Sequence, residues 1–156
     1  MTLLKMAAAA CVAAIAMSFA PAASAGECPT AQVGANPLAD AATAPARVTD
    51  NVIASIDLSE RYGVPGRMLR LRKLIVEPGG VVPLHSHADR PANIYVVRGE
   101  ITEYRSSCLA PIRHTAGDVV AEQGDIQHWW RNNSAFRTVL LSADIPPPAG
   151  QAQGGM

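Results

Sequence analysis

The residues of this 156-residue chain with the clearest chemical potential are histidines. His85 and His87 stand one residue apart, entered through Gly79-Gly80 and followed by the apolar run Ile94 to Val97. Alternate side chains of an extended segment share a face, so two imidazoles at this spacing can reach one metal ion. Nitrogen ligands suit Fe, Zn, Cu, Ni or Mn better than Mg or Ca, which prefer oxygen. His128 and His114 lie further along, His128 beside Trp129 and Trp130, and His114 on a short run between turns.

What must position them is a set of short strands. Val52 to Leu58, Met68 to Val76, Ile94 to Val97, Ile101 to Ser106, Ile112 to Thr115, Val119 to Glu122, His128 to Arg131 and Phe136 to Ile145 carry strand signals. Gly, Pro and Asp clusters separate them, among them Tyr62 to Gly66, Glu77 to Gly80 and Ala116 to Asp118. No helical period competes with this pattern after the first residues. Many short strands with turn punctuation predict an all-β sandwich or barrel.

Composition narrows the function. With 13 basic and 13 acidic side chains, the chain has no charge excess that would suit a nucleic-acid partner. It shows no phosphate-binding loop, no Ser/His/Asp arrangement and no paired zinc-type cysteines, which argues against a nucleotide enzyme or a covalent hydrolase. Lys5, the apolar run Met6 to Ala20 and Ala23-Ser-Ala25 read as a secretory signal peptide over 1–25, and an exported, secreted or periplasmic chain. No later stretch is long and apolar enough to span a bilayer. Residues 26–48, rich in Ala and Pro, read as an extended, weakly ordered arm, 49–146 as the barrel, and 147–156 as a flexible tail. Cys28 and Cys108 remain after cleavage in an oxidising compartment, where a disulfide tying the arm to the barrel is the natural reading and two free thiols the alternative.

Two half-motifs organise the middle of the chain. Gly79, five residues, His85-x-His87 and a gap to Gly99 form one; Gly117-Asp118, nine residues, His128, three residues and Asn132 form the other. Together, over about Arg67 to Asp144, they resemble the two motifs of the cupin superfamily. The resemblance implies a double-stranded β-helix, or jelly-roll, barrel holding one divalent transition metal. It implies His85, His87 and His128 as metal ligands, and Gly99, Gly117 and Asn132 as structural positions. It also implies a glutamate five residues after the second histidine, and there this chain has Ala92. Gln123-Gly124-Asp125 replaces the usual Pro-x-Gly turn, keeping a turn-forming glycine.

Ala92 cannot bind a metal. Three neutral imidazoles would leave the ion's charge uncompensated and its coordination open, favouring an incoming anion and a catalytic rather than a closed site. Asp89 or Glu122 could swing in as the replacement carboxylate. Strand alternation places Ala92, Ile94 and Val96 in the pocket, with Tyr95 and Val97 on an outer face that needs the arm or a second subunit as cover. By the same alternation Trp130 points inward with His128 and could clamp an apolar ligand, while Trp129 points away to core or interface. His114 reads as a surface or structural residue. Arg70, Arg72 and Arg98 are candidates to meet a substrate carboxylate, with a solvated outer face as the alternative. The functional expectation is an exported single-domain barrel binding one divalent metal through three histidines. The alternatives are a metal-dependent enzyme of dioxygenase or isomerase type on a small organic substrate, and a metal-free small-ligand binder.

Overall fold

The computed structural model describes residues 26–149; the signal-peptide reading and the last residues of the tail lie outside the described residues. Within them the chain runs β1 (Ala46–Asp57), α1 (Ser59–Tyr62), β2 (Met68–Ser86), β3 (Ala92–Arg98), β4 (Glu100–Arg105), β5 (Ile112–Thr115), β6 (Val119–Glu122), β7 (Gln127–Arg131) and β8 (Thr138–Asp144). All strand pairs are antiparallel, in the order β5-β4-β7-β2-β8-β3-β6, with β1 added alongside β2. This is the all-β jelly-roll barrel that the short strands and turns predict.

β2 joins the two halves of this sheet. Its first part, Arg70 to Val76, pairs with β8, and its last part, Val81 to Ser86, pairs with β7. Between them lies Glu77 to Gly80, which the sequence reads as the end of a strand and which the structure makes a bend inside one. Gly79 takes a left-handed φ of 74°, and a Cβ on Gly80 would come within 2.6 Å of the Arg47 carbonyl oxygen. Asn132 fastens this corner. Its Nδ2 donates to the Val76 carbonyl at 2.9 Å and the Phe136 carbonyl at 2.7 Å, and its backbone exchanges hydrogen bonds with Gly79 and Gly80.

Period-two alternation fills the interior. β3 buries Ala92, Ile94 and Val96 and exposes Asn93, Tyr95 and Val97. β8 buries alternate residues from Thr138 to Asp144. The core cluster joins Ala92, Ile94 and Val96 to Leu74, Val76, Val82, Ile101, Val120, Trp130 and Leu140. Fully buried side chains such as Val76, Val96 and Ile101 each contribute about 1.5–3 kcal/mol.

The segment read as an extended, weakly ordered arm contains a short 3-10 turn, Thr30–Gln32, and is tied down along its length. Cys28 is bonded to Cys108. Val33 bridges Cys108, Gly34 and Asn36 donate to the Ser107 and Ser106 carbonyls, and Leu84 donates to Ala42. β1 begins at Ala46, inside the stretch read as arm, and most of its residues are exposed. Tyr95 and Val97 are each 43% exposed, so the described part of the arm does not cover that face.

Candidate metal centre

Each of the three histidines is delivered by a different local device. His85 lies near the end of β2, where a register shift between Val82 and His85 turns the strand, and it pairs directly with His128 of β7. His87 follows β2 by one residue in a turn closed by the hydrogen bond from Arg90 N to its own carbonyl, 3.3 Å. The three rings come together, with centroids 4.6–4.9 Å apart. His87 and His128 are buried, and His85 is partly open to the cavity.

The Nδ1 of every ring is anchored. It lies 2.8 Å from the Pro83 carbonyl in His85, 2.8 Å from the Arg90 carbonyl in His87, and 2.6 Å from Glu103 Oε1 in His128. Carbonyl and carboxylate oxygens only accept, so in His85 and His87 Nδ1 carries the proton and Nε2 keeps its lone pair; in His128 the 2.6 Å contact with the Glu103 carboxylate favours the same tautomer over the one in which Nδ1 accepts from Trp130 Nε1 at 3.1 Å. The three Nε2 atoms converge: those of His85 and His128 are 3.1 Å apart.

Glu122 completes the group. Its Oε2 lies 2.9 Å from His87 Nε2 and its Oε1 3.4 Å from His128 Nε2, and ligand atoms of all four residues fall within 4.8 Å of one another. Glu122 stands at the end of β6 directly opposite Ala92 of β3. The carboxylate absent at Ala92 thus arrives from the neighbouring strand, and the site is not the three-imidazole arrangement with uncompensated charge that the sequence suggests. Asp89, the other candidate, is 58% exposed and paired with Arg67.

The donor set fits a divalent cation. Buried lone pairs facing one another at about 3 Å are repulsive, and neither His87 Nε2 nor Glu122 Oε1 has a hydrogen-bond partner. Ligands about 2.1 Å from a common ion, at angles between octahedral and tetrahedral, lie roughly 3.0–3.4 Å apart. Three nitrogens and one carboxylate suit Fe, Mn, Zn, Ni or Cu, and the carboxylate removes one unit of the ion's charge. Burial, and then the charge of neighbouring His128, lower the His85 pKa to about 2, so this ring stays a neutral ligand.

Behind the cluster sits Glu103, which the sequence reading passed over. It is fully buried on β4. Burial raises its pKa, but hydrogen bonds from His114 Nε2 at 2.9 Å and His128 Nδ1 at 2.6 Å, with a two-pronged contact from Arg105, win and hold the carboxyl below its usual range. The alternation that turns Ile101 inward turns Glu103 inward too, a signal the sequence did contain. His114 is therefore structural: fully buried, bonded to Glu103 and stacked on Trp130 at 4.8 Å.

A small cavity of about 30 Å³ opens beside the cluster, lined by His85, His87, Glu122, Ile94, Trp130 and Arg72 among others. Ile94 and Trp130 thus face it, while Ala92 and Val96 lie in the buried core. Trp129 turns to the other side and stacks on Tyr104 at 4.2 Å. Of the three arginines considered, Arg72 is buried in the cavity wall, Arg70 is part-exposed and bound to Asp144, and Arg98 is exposed.

The cupin-domain family model matches residues 72–144, the stretch that holds the whole histidine–glutamate cluster. The chain carries a cupin domain. Solved structures share the fold at low identity. A predicted oxalate decarboxylase from Thermotoga maritima superposes with a TM-score of 0.52 at 16% identity, over 72% of this chain and 96% of that one. An uncharacterized conserved protein with a double-stranded β-helix domain from Klebsiella pneumoniae gives 0.50 at 16%, over 70% and 80%. The Cnp3 cupin domain of Schizosaccharomyces pombe gives 0.49 at 12%, with 64% of each chain covered. A search of curated proteins found no match. This cupin differs from the motif it resembles in the strand that carries its carboxylate.

Proposed function

We propose that this protein is an exported single-domain cupin that binds one divalent transition metal through His85, His87, His128 and Glu122, and acts as a metal-dependent enzyme on a small organic substrate. One observation carries the metal: three imidazoles, each locked by its Nδ1, aim their Nε2 lone pairs at one another and at a buried carboxylate. The small cavity beside them, onto which the partly exposed His85 opens, supports an enzyme over a structural site, because structural metal sites are closed by their ligands whereas catalytic ones keep an open position. Bound there, such an ion would supply Lewis-acid polarisation or, for a redox-active metal, electron transfer. The chain's own part is to hold the rings in one tautomer, to buffer His128 with the Glu103 carboxylate, and to wall the chamber with Trp130, Ile94 and Leu140.

Export is supported by the Cys28–Cys108 bond, which persists in oxidising compartments, and among the described residues no helix is long and apolar enough to cross a membrane. On this reading the partner is a small molecule rather than nucleic acid, and a second copy of the chain covers the exposed Tyr95 and Val97. Elemental analysis of the purified chain tests the metal. About one first-row metal per chain, lost in His128→Ala and in Glu122→Ala, is the expected result. Protein that is metal-free and cannot be reloaded would leave a metal-free ligand binder.

A further inference from the structure

Gly26 is the residue at which the cleavage pattern and the fold coincide. Ala23-Ser-Ala25 places a leader cleavage site immediately before it, and the structure lays it against β5, with its backbone N–H donating to the Arg113 carbonyl at 3.3 Å. Beside it lies the ring of His114, fully buried, whose Nε2 donates to Glu103 at 2.9 Å. Nδ1 of the neutral ring is then a lone pair, and it has no hydrogen-bond partner among the described residues. Buried acceptors left in this state are rare in native proteins. Asp118 completes the surroundings. Its Oδ2 accepts from the Thr115 backbone N–H at 2.6 Å and from the Thr115 hydroxyl at 3.1 Å, so Oδ1 can take a further donor.

We propose that the amino group of Gly26, freed by cleavage after Ala25, is the missing donor and docks as an ammonium between His114 Nδ1 and the Asp118 carboxylate. An amide nitrogen at this position has one hydrogen, already given to Arg113, and is tethered to the residue before it. A chain-terminal glycine is free of that tether, and turning about its Cα–C bond carries the amino group into the place a Cβ would occupy. That place lies 3.2 Å from His114 Nδ1 and 3.8 Å from Asp118 Cγ, within hydrogen-bond reach of one and ion-pair reach of the other. An ammonium brings three donors and a charge, which suits a lone pair and a carboxylate together. The other charged groups at this end are Glu27, which is exposed, and Arg113, whose guanidinium turns to Glu100. Through His114 and Glu103 the docked terminus stands two side chains behind His128. This inference rests on the export reading, and the experiment keeps the two apart.

The chain is expressed with its leader in a bacterial host, and the first residue of the exported protein is read by mass spectrometry. Failure of the export reading registers there, as full-length chain kept in the cytoplasm, whereas an exported chain that begins at any residue but Gly26 overturns the proposal alone. Acetylation of the Gly26 amino group by acetic anhydride is then followed against pH, for the folded protein and in urea. An ordinary α-amino group titrates at about 7.7–8.0. In the folded chain the titration midpoint is expected at least about one unit higher than in urea, because Asp118 and His114 stabilise the ammonium, and acetylation at pH 7 is then about tenfold slower. Asp118→Asn keeps an acceptor for Thr115 and is expected to return the midpoint most of the way to the ordinary range. A chain released from a cleavable tag so that it begins at Ala25 is expected to titrate in that range as well. Equal midpoints in the folded chain and in urea overturn the proposal, as does a raised midpoint that persists in Asp118→Asn or in the chain beginning at Ala25. Should Asp118→Asn fail to fold, chains released to begin at Ala25 and at Gly26 decide by their difference. Should export fail, the same pair decides the docking, equal midpoints again overturning it.

Discussion

Ala92 on β3 and Glu122 on β6 face each other across an antiparallel pair, both buried, and the small side chain of one leaves room for the carboxylate of the other. Directly opposed residues have Cβ atoms about 5 Å apart, close enough for a glutamate on either strand to serve the same ion. Glu122→Ala is therefore expected to weaken metal binding about a hundredfold or more, and the double variant Ala92→Glu with Glu122→Ala to recover much of it. Ala92→Glu alone places two carboxylates side by side and is expected to destabilise the metal-free chain by about 1–3 kcal/mol. Metal titration and urea unfolding read these effects. A double variant no better than Glu122→Ala would show that position 92 does not reach the centre.

Glu103 touches no cavity atom, yet it orients His128 and anchors His114. A carboxylate behind a ligand histidine fixes the tautomer and raises ligand basicity. Glu103→Gln is expected to lower metal affinity about 10–100-fold while leaving the three ligands in place. Competition with a chelator measures the affinity, and an unchanged value would reduce Glu103 to a packing role.

Protonation opposes folding of the metal-free chain. His85 titrates near 6.5 when unfolded and near 2 when folded, so between those values the unfolded state binds more protons and stability falls as pH falls. The loss is about 1 kcal/mol per pH unit below 6.5, and Glu103, held below its usual range, adds to it below about 4.5. Because ligand histidines must be neutral, protons also compete with the ion, and the stabilisation given by added zinc is expected to shrink from pH 7 to pH 5. Urea unfolding of both forms at several pH values tests this, and a metal-free stability that is flat from pH 7 to 4.5 would contradict it.

The Cys28–Cys108 bond closes a loop across a sequence separation of 80. Removing such a cross-link restores conformational freedom to the unfolded chain, and Cys28→Ser with Cys108→Ser is expected to cost about 2–4 kcal/mol. The arm would still be hydrogen-bonded to Ser106 and Ser107, so metal uptake should survive under native conditions. Thermal unfolding and metal content, measured on the same variant, separate the two effects.

Several features were legible in the amino-acid order because they are local. Alternation along β3 put Ala92, Ile94 and Val96 inside, and the spacing of His85, His87 and His128 marked them as a set. Turn residues marked the strands, and cysteine count with a leader-like start suggested the cross-link. What the sequence left open was whatever depended on register between strands far apart in the chain. Nothing local reveals that Glu122 stands opposite Ala92, that Glu103 backs His128, or that Arg70, Arg72 and Arg90 share Asp144. The bend at Gly79-Gly80 belongs to the same class, since a strand that changes partners reads locally like a strand that stops. Periodicity fixes which face a side chain takes, whereas only the folded sheet decides what lies across from it.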